Sequence, residues 1–356
     1  MTLDYNTLQA VINKKYMPTL FDNIFLKYSP TLAWIYQYSR ELEGRKLVVP
    51  LEYADGGNTQ MINPYGSISI VPSEIATAAE YEPKMAVASL VIDEQEIIKS
   101  RTPLAIKNIV DLKIKNVEKS FAGSFTRALF KMPEVDGSME DASLFNSLPY
   151  LINDHATEAV GGINPTDFAA WKSKVFTDSG GDFTDDFTVA EMTDTTKDTY
   201  MKKFFARLLA VAKFRKSSGD VLFVVPQQIW DAYEFILDAQ KQGSPLNEDK
   251  GVAGFDTLFY RNAKVVAEDA MILEQAANEG EVYCLNSEFL WFAFSPGAKM
   301  AQKPFIEAQG TMTSVKKFYS MGNLVTSNRA ALCRATGVES LATYVNPGSA
   351  KEIAPA

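Results

Sequence analysis

The sequence contains very little histidine and cysteine, and this scarcity excludes several kinds of active site. Among its 356 residues are one histidine, His155, and two cysteines, Cys284 and Cys333. A metal site with two histidines cannot be built within one chain, and a Ser-His-Asp or Cys-His unit would have to use His155. Both cysteines lie in apolar segments, which argues against a disulfide scaffold or a cysteine-rich metal site. Enzyme hypotheses therefore depend on carboxylates, lysine or tyrosine.

Long apolar runs are also missing from the sequence. No stretch of 18 apolar residues occurs, because the most apolar helical segment is interrupted by Arg207 and Lys213. The first 21 residues lack an apolar segment behind a basic start, so no secretory signal is predicted. We therefore expect a soluble protein without a membrane partner, made and kept in the cytoplasm.

The composition is that of a folded and moderately acidic protein. Hydrophobic residues make up 46% and charged residues 22% of the chain, enough apolar surface for a core. The length suggests about two domains of roughly 150 residues. With 35 basic and 44 acidic residues the formal charge is −9, which disfavours wrapping of nucleic acid over the whole surface.

The first half of the chain predicts an arm, a ribbon and a long helix. Residues 1–44 carry scattered aromatic side chains and read as an arm that lies on its own fold or on a neighbouring subunit. Strand-like segments within 45–92 predict a two-stranded ribbon, either stabilised by another chain or folded back as an edge hairpin. Apolar spacing over 103–131 predicts a helix of about 40 Å, with Pro103 in its first turn.

The second half predicts a mixed domain followed by returning strands. A basic amphipathic helix is expected over 200–216, then a buried strand over 219–226 and a helix after it. Strand pairs are expected to flank Arg261-Asn262 and Ser287-Glu288. Two or three strands after Pro304 need a partner sheet from earlier in the chain, and the last residues read as a loose tail.

No group of residues stands out as an active site. The acidic segment Asp178–Asp186 could bind Ca²⁺, but it lacks the usual ligand spacing and reads better as a solvated loop. The basic helix could contact phosphate, but a solvated or salt-bridged face is the better interpretation. His155 beside Asp154 reads as a surface histidine, because no nucleophile motif accompanies it. We predict no catalytic residue, metal or cofactor.

The order of arm, ribbon, long helix, mixed domain and returning strands resembles the major capsid proteins of tailed bacteriophages, the Hong Kong 97 type α+β fold. Four local motifs between about 45 and 335 carry the resemblance. They are Gly161-Gly162-Ile163-Asn164 with Trp171, Gly254-Phe255-Asp256 with Leu258, Tyr260 and Val265-Val266, Tyr283-Cys284-Leu285-Asn286, and Gly322-Asn323-Leu324 with Asn328-Arg329.

The resemblance implies a domain plan. Residues 1–44 would be the N-terminal arm, 45–85 the extended loop over a neighbouring subunit, and 86–154 the first part of a peripheral domain with its spine helix at 103–131. Residues 155–303 would form the axial domain around five-fold and six-fold axes. Residues 304–345 would return to the peripheral domain, and 346–356 would be the C-terminal tail.

The resemblance also implies a structural function without catalysis. The chain would assemble into pentamers and hexamers of an icosahedral phage head, in the host cytoplasm, and reside in the virion. Implied partners are a separate scaffolding protein, a portal, decoration proteins and packaged double-stranded DNA that is contacted weakly and non-specifically. Six side chains are candidates for subunit contact: Trp34, Tyr53, Tyr65, Ile68, Ile70 and Tyr81.

Two further expectations concern processing, and three rival functions stay open. Because 44 residues precede the ribbon, no large N-terminal removal is expected, and no Lys-Asn-Glu crosslinking group can be assigned. The nearest rival is an encapsulin-like compartment that encloses an enzyme. A carboxylate-dependent hydrolase would need a concave acidic cleft, and a tail or baseplate protein would be structural without forming a shell.

Overall fold

The computed structural model describes residues 29–52, 61, 63, 75–93, 95, 103–131, 145–155, 159–177, 200–213, 217–240, 258–268, 281–299, 301–307 and 313–336. These ranges form an α+β fold of two mixed sheets, a two-stranded ribbon and the helices packed on them, as the sequence predicts. The helices are α1 (Pro30–Gln37), α2 (Pro103–Phe130), α3 (Leu148–Leu151), α4 (Tyr200–Ala212) and α5 (Gln227–Gln240), with 3₁₀ turns at Ala169–Trp171 and Arg329–Ala331.

The strands follow one another as a short first strand, the ribbon pair, and then the strands of the two sheets. They are β1 (Arg40–Glu41), β2 (Leu47–Glu52), β3 (Ala76–Tyr81), β4 (Lys84–Asp93), β5 (Lys174–Thr177), β6 (Val221–Val225), β7 (Leu258–Tyr260), β8 (Ala263–Ala267), β9 (Val282–Asn286), β10 (Leu290–Phe294), β11 (Ala301–Gln302), β12 (Ile306–Glu307), β13 (Thr313–Thr326) and β14 (Cys333–Thr336).

The peripheral sheet (β1, β4 and β10–β13) is organised around the 14-residue strand β13. One edge of β13 pairs with β4 over residues 313–322, and the other edge pairs with β10, β11 and β12. The strands that return after Pro304 thus find their partner in a strand from the first quarter of the chain. This pairing meets the expectation of a partner sheet earlier in the sequence.

Helix α2 packs against the inner face of β4 and confirms the predicted long helix. It spans 28 residues, or about 40 Å at 1.5 Å per residue. Its buried side chains recur on one face, at Val110, Ile114, Phe121 and Phe125. Nζ of Lys113 donates to the carbonyl of Val91 at 3.1 Å, which ties the helix to the strand.

The axial sheet (β5–β9 and β14) runs in the order β5-β14-β9-β6-β8-β7. All five residues of the central strand β6 are buried, and they alternate between two apolar clusters. Leu222 and Val224 face the core shared with α2 and the peripheral sheet, whereas Phe223 faces a second core beneath α4 and α5. The sheet is therefore covered on both faces, which explains why β6 reads as a continuous apolar run.

One predicted strand pair is confirmed and one is wrong. β7 and β8 form a hairpin around Arg261-Asn262, with Arg261 at a φ of 54°. β9 and β10 belong to different sheets: β9 pairs with β6 and β14, and β10 pairs with β1 and β13. Between β9 and β10, Asn286 Nδ2 donates to the carbonyl of Ala212 at 2.7 Å, and Asn286 Oδ1 accepts from the Glu288 backbone. These bonds fix the turn between the two strands against α4.

The strand pairing crosses the boundaries of the implied domain plan at two places, and the plan itself stays a prediction. β10 and β11 lie within 155–303 but pair in the peripheral sheet, and β14 lies within 304–345 but pairs with β5 and β9 in the axial sheet. β10 and β14 are largely buried and pair within the sheet on which they pack, whereas β11 is partly exposed. The chain crosses between the sheets twice, after β9 and before β14.

The described part of the arm packs on its own chain. In α1, Leu32, Trp34 and Ile35 are buried, and Ser29 Oγ caps the helix by accepting from the Leu32 backbone at 3.1 Å. Ser29 Oγ also donates to the buried carboxylate of Glu268 at 2.5 Å. β1 then extends the peripheral sheet in parallel with β10. Of the two positions expected for the arm, its own fold is observed for residues 29–41, and residues 1–28 lie outside the described ranges.

Candidate assembly site

The ribbon (β2 and β3) has one buried and one exposed face at its base. Burial alternates along β2, with Leu47, Val49 and Leu51 buried and the residues between them exposed. Opposite them, Ala79 and Tyr81 of β3 are buried in the same core. Of the two alternatives for the ribbon, packing on its own chain is observed for this base. Residues 53–60 and 64–74, which the sequence predicts as part of the extended loop, lie outside the described ranges.

Gly161 allows the ribbon to approach the body of the protein closely. Its φ is +61°, and a Cβ there would lie 3.0 Å from Ala79 Cβ and 3.0 Å from the Tyr81 ring. The carbonyl of Gly161 accepts from the Glu80 backbone N–H at 2.9 Å. A residue with a side chain would meet both backbone strain and overlap, so only glycine suits this contact.

Trp171 holds the short turn that presents Gly161. Its Nε1 donates to the carbonyl of Val160 at 2.9 Å, and Val160 and Ile163 form an isolated β-bridge across the two glycines. The indole ring is buried against the same core as the ribbon base. The motif that begins at Gly161 and ends at Trp171 is therefore the surface on which the base of the ribbon packs, and we call it the platform.

Arg329 connects this platform to the returning chain. Its side chain is fully buried and donates to the carbonyls of Leu151 (2.9 Å), Trp171 (3.0 Å) and Asn153 (3.1 Å), and to Asn153 Oδ1 (2.9 Å). Burial lowers the pKa of its guanidinium to about 10. These four hydrogen bonds connect α3 and the Trp171 turn to the segment at Arg329, where the chain passes from the peripheral sheet to β14 of the axial sheet.

Asn323, near the end of β13, also connects separate segments of the chain through its side chain. Its Oδ1 accepts from the Asn146 backbone at 2.7 Å, and its Nδ2 donates to the carbonyl of Glu82 at 2.8 Å. Nearby, the hydroxyl of Tyr81 donates to the carbonyl of Thr326 at 3.1 Å, and burial raises the pKa of Tyr81 above its ordinary value. Together these bonds fix the angle between the ribbon and β4.

The solvent side of the peripheral sheet carries an apolar patch. Met85, Val87 and Val91 alternate along β4, and each is about half exposed. Their register partners on β13 face the same side, because opposite residues of antiparallel strands share a face. We define the outer apolar patch as Met85, Val87, Val91, Ile306, Val315, Tyr319 and Met321.

The opposite face of the same sheet buries a lysine. Lys316 is fully buried, with Nζ 5.5 Å from the centre of the Phe305 ring and 5.8 Å from that of Phe318. Burial in this apolar environment lowers the pKa of its amine to about 8. The inner face thus covers even a charged residue, while the outer face leaves large apolar residues in water.

The six candidate contact residues fall into two groups. Trp34 and Tyr81 are almost fully buried by their own chain, so their side chains pack in the core and offer no exposed area to a neighbour. Tyr53, Tyr65, Ile68 and Ile70 lie outside the described residues. For these four, subunit contact stays a prediction.

The described residues give little support to catalytic or metal chemistry. His155 is exposed beside Asp154, and the segment Asp178–Asp186 lies outside the described ranges. Within the described residues, no three His, Cys, Asp or Glu side chains are grouped to hold a metal ion. A cavity of about 240 Å³ at the ribbon base is lined by one carboxylate, Glu52, and a broader depression of about 650 Å³ by one, Asp154. Neither offers the carboxylate pair that glycoside hydrolysis uses.

Comparison with known proteins identifies the architecture. No family model and no curated protein matches the sequence. Among solved structures, the capsid of cyanophage A-1(L) matches with a TM-score of 0.61 at 14% identity, covering 87% of this chain and 93% of that one. The capsid of a native GTA particle matches with a TM-score of 0.57 at 11% identity, covering 87% and 90%. The chain has a bacteriophage capsid fold.

The capsid fold confirms the resemblance that the four sequence motifs indicate. Two of those motifs, around Gly161 and around Asn323 and Arg329, converge at the ribbon base, where they fix the ribbon to both sheets. The described residues of the other two lie in β7–β9 of the axial sheet, and Gly254-Phe255-Asp256 lie outside the described ranges. No helix in the described residues is long and apolar enough to cross a membrane.

Sequence reasoning missed the outer apolar patch of the capsid fold. The segment Lys84–Asp93 reads as a strand with apolar residues on both faces, so its sequence does not show which face another element covers. The recurrence of Met85, Val87 and Val91 on one face of the strand was the sequence feature that could have indicated the patch. Only the packing of α2 on the opposite face identifies these three as the exposed set.

Proposed function

We propose that this chain is a major capsid protein that assembles, without catalysis, into pentamers and hexamers of an icosahedral phage head. The outer apolar patch is the observation that carries the proposal. Seven apolar side chains share this solvent-facing side of the sheet, with Ser89 and Lys317 between them, and apolar surfaces of this kind mark sites of protein association. A shell of many copies would bury this surface at every subunit.

The proposed occupant of the outer apolar patch is the extended loop, residues 45–85, of a neighbouring subunit. The loop's exposed face at its base carries Val48 and Pro50 beside Glu52 and Glu80. Exposed Lys317 lies within the patch, between Val315 and Tyr319, and exposed Lys303 lies beside it. On the loop face Glu80 is paired with Lys46 at 2.6 Å, so Glu52 is the acid proposed to meet these lysines, and Tyr53, Tyr65, Ile68 and Ile70 would extend the contact.

Other partners follow from the same proposal. A separate scaffolding protein would set the shell's curvature in the host cytoplasm, a portal would occupy one vertex, and decoration proteins would bind the finished shell. The net charge of −9 suits a wall that confines double-stranded DNA with weak, non-specific contact. The chain would reside in the virion, and its mode of action would be assembly.

The test is electron microscopy and mass determination of the purified chain, alone and with a co-expressed scaffold candidate. We expect closed shells or rings of five and six subunits. The Val87→Asp variant should remain folded, because Val87 is exposed and surface changes typically alter stability by about 0.5 kcal/mol or less. It should nevertheless form no shells, because the carboxylate would have to be buried at the contact.

The matched control is Val87→Ile at the same position, which keeps the patch apolar and should assemble like the parent chain. A folded Val87→Asp chain that still forms normal shells would show that the patch is not an assembly contact. A monomer or dimer of the parent chain under every condition, with each scaffold candidate, would count against the capsid function itself. Shells that enclose protein and no DNA would instead support a compartment.

A further inference from the structure

The two cysteines of the chain face each other across neighbouring strands. Cys284 of β9 and Cys333 of β14 are direct register partners in an antiparallel pair. Both side chains are fully buried on the same face of the axial sheet, within the core beneath α4. Because the sequence contains no other cysteine, each thiol has one possible partner within the chain.

The register of this pair suits a disulfide. Directly opposed residues of antiparallel strands have Cα atoms about 4.5 to 5.5 Å apart, and disulfides bridge Cα separations of about 4.4 to 6.8 Å. Both thiols are free in this structure, and Sγ of Cys333 donates to the carbonyl of Leu208 at 3.4 Å. Formation of the bond therefore requires rotation of side chains and no rearrangement of the sheet.

The position of the pair gives such a bond a structural consequence. The chain leaves the axial sheet just after Cys284 and returns to it at Cys333. The roughly 50 residues between them contain β10 to β13, most of the peripheral sheet. A bond here would join the two ends of this excursion at the point where the sheets are connected.

We propose that Cys284 and Cys333 form an intramolecular disulfide when the folded chain is exposed to a peroxide, and that this bond staples the two crossings between the sheets. The thiolate of one cysteine attacks the peroxide, breaks its O–O bond, and becomes a sulfenic acid as hydroxide leaves. The second thiol displaces hydroxide from the sulfenic sulfur, giving the S–S bond and water. Two thiols and one hydrogen peroxide thus give one disulfide and two waters.

Burial makes this reaction slow and dependent on pH. The apolar surroundings, and then the neighbouring Cys333, raise the pKa of the Cys284 thiol well above its ordinary value. Since the thiolate is the nucleophile, we expect faster oxidation at mildly alkaline pH than at neutral pH. The reaction needs only the folded chain, so it is independent of shell assembly.

The test is treatment of the purified full-length chain with hydrogen peroxide, followed by alkylation in denaturant and mass spectrometry. We expect an intact mass lower by two hydrogen atoms, no alkylation, and one linked peptide pair containing Cys284 and Cys333 after non-reducing digestion. The melting temperature should rise by roughly 5 °C or more, because the closed loop restricts the unfolded chain. Dithiothreitol should reverse each change.

Cys284→Ser and Cys333→Ser are the controls, and each should gain no stability on oxidation. Because the comparison of oxidised and reduced parent chain is complete in itself, the test holds even if these variants fold poorly. The proposal is overturned if both thiols remain alkylatable after peroxide treatment, or if oxidation yields sulfonic acids or links between chains. A disulfide that leaves the melting temperature unchanged would overturn its function as a staple.

Discussion

Arg329 illustrates how single side chains hold this fold together. Its guanidinium replaces water at four acceptor atoms that belong to two separate segments, 151–153 and the turn at Trp171. A cation that loses its hydration is costly to bury, and the lowered pKa, about 10, reflects that cost. The hydrogen bonds offset it, so the fold depends on all four being present together.

Replacement of Arg329 by alanine should therefore destabilise the chain strongly. The carbonyls of Leu151, Trp171 and Asn153 would lose the hydrogen bonds that Arg329 donates, while Ser173 Oγ would still donate to Leu151 at 3.4 Å, and we expect a loss of about 3 to 5 kcal/mol in the free energy of unfolding. Urea denaturation of the variant and the parent measures this loss. Arg45→Ala removes an exposed arginine and should cost about 0.5 kcal/mol or less. Equal losses in the two variants would contradict the proposed connection.

Lys316 should make the free energy of unfolding of the chain depend on pH. Its pKa is about 8 in the folded chain and near 10.5 in the unfolded chain, so the folded state disfavours the charged amine. Below pH 8 both states are protonated and the full penalty applies. Between pH 8 and about 10.5 the unfolded state binds more protons, and the free energy of unfolding rises with pH.

Lys316→Met should remove this rise. Methionine fits a similar space without charge, so the variant should be more stable than the parent by about 2 to 3 kcal/mol near pH 7. The difference should vanish as the pH approaches about 10.5. Paired urea titrations across this range measure the difference directly, which cancels the contributions of other titrating groups. A constant difference at every pH would show that Lys316 keeps an ordinary pKa in the fold.

At the scale of elements, the base of the ribbon is held by buried side chains together with a close backbone contact. Gly161 brings the chain to van der Waals distance from Ala79 and Tyr81, and one backbone hydrogen bond from Glu80 completes the contact. The ribbon's direction is therefore set by how closely two backbone segments approach. A single methyl group at this position is enough to change that distance.

Gly161→Ala and Gly162→Ala form a matched pair that measures this contact. Both glycines have positive φ, so both variants lose about 1 to 2 kcal/mol through backbone strain. Only at Gly161 does the added Cβ meet other atoms, since nothing lies within 4 Å of a Cβ at Gly162. We expect Gly161→Ala to cost about 1 to 3 kcal/mol more in urea denaturation. Equal costs would show that the ribbon base adjusts freely.

The elements also show what the sequence could and could not predict. Helix α2 and the β7–β8 hairpin were predictable, because local apolar spacing and turn residues determine them. β9 and β10 were expected to pair, since two apolar strands flank a short polar turn. Both strands are buried throughout, so their sequences carry no alternation to indicate a face, and long-range partners decide the sheet of each.

The candidate site was predictable only in its parts. The motifs that contain Gly161, Asn323 and Arg329 were visible, but their convergence at the ribbon base depends on contacts between segments more than 150 residues apart. Trp34 and Tyr81 were expected at a subunit contact because large aromatic residues suit both interfaces and cores. The packing of this chain places them in the core.

At the scale of the whole molecule, residues 53–74, which connect β2 to β3, should be needed for assembly and dispensable for folding. Replacement of residues 53–74 by a short Gly-Asn linker keeps β2 and β3, whose register pairs Glu52 with Ala76. We expect an unchanged melting temperature and no shells, because the neighbour would lose the loop that covers its outer apolar patch. Calorimetry and electron microscopy of the same preparation measure both properties. Normal shells from this variant would contradict the proposed contact.

Strand β13 has a consequence for the order of events during synthesis. β4 is complete at residue 93, yet its partner in the sheet emerges only when residues 313–322 have been made. At about 5 to 20 residues per second, the ribosome needs roughly 10 to 50 s to cover that distance. During that time both edges of the apolar strand β4 are unpaired, which makes the nascent chain prone to aggregation. Nascent chains of this protein should therefore depend on chaperones until residues 313–322 have been made.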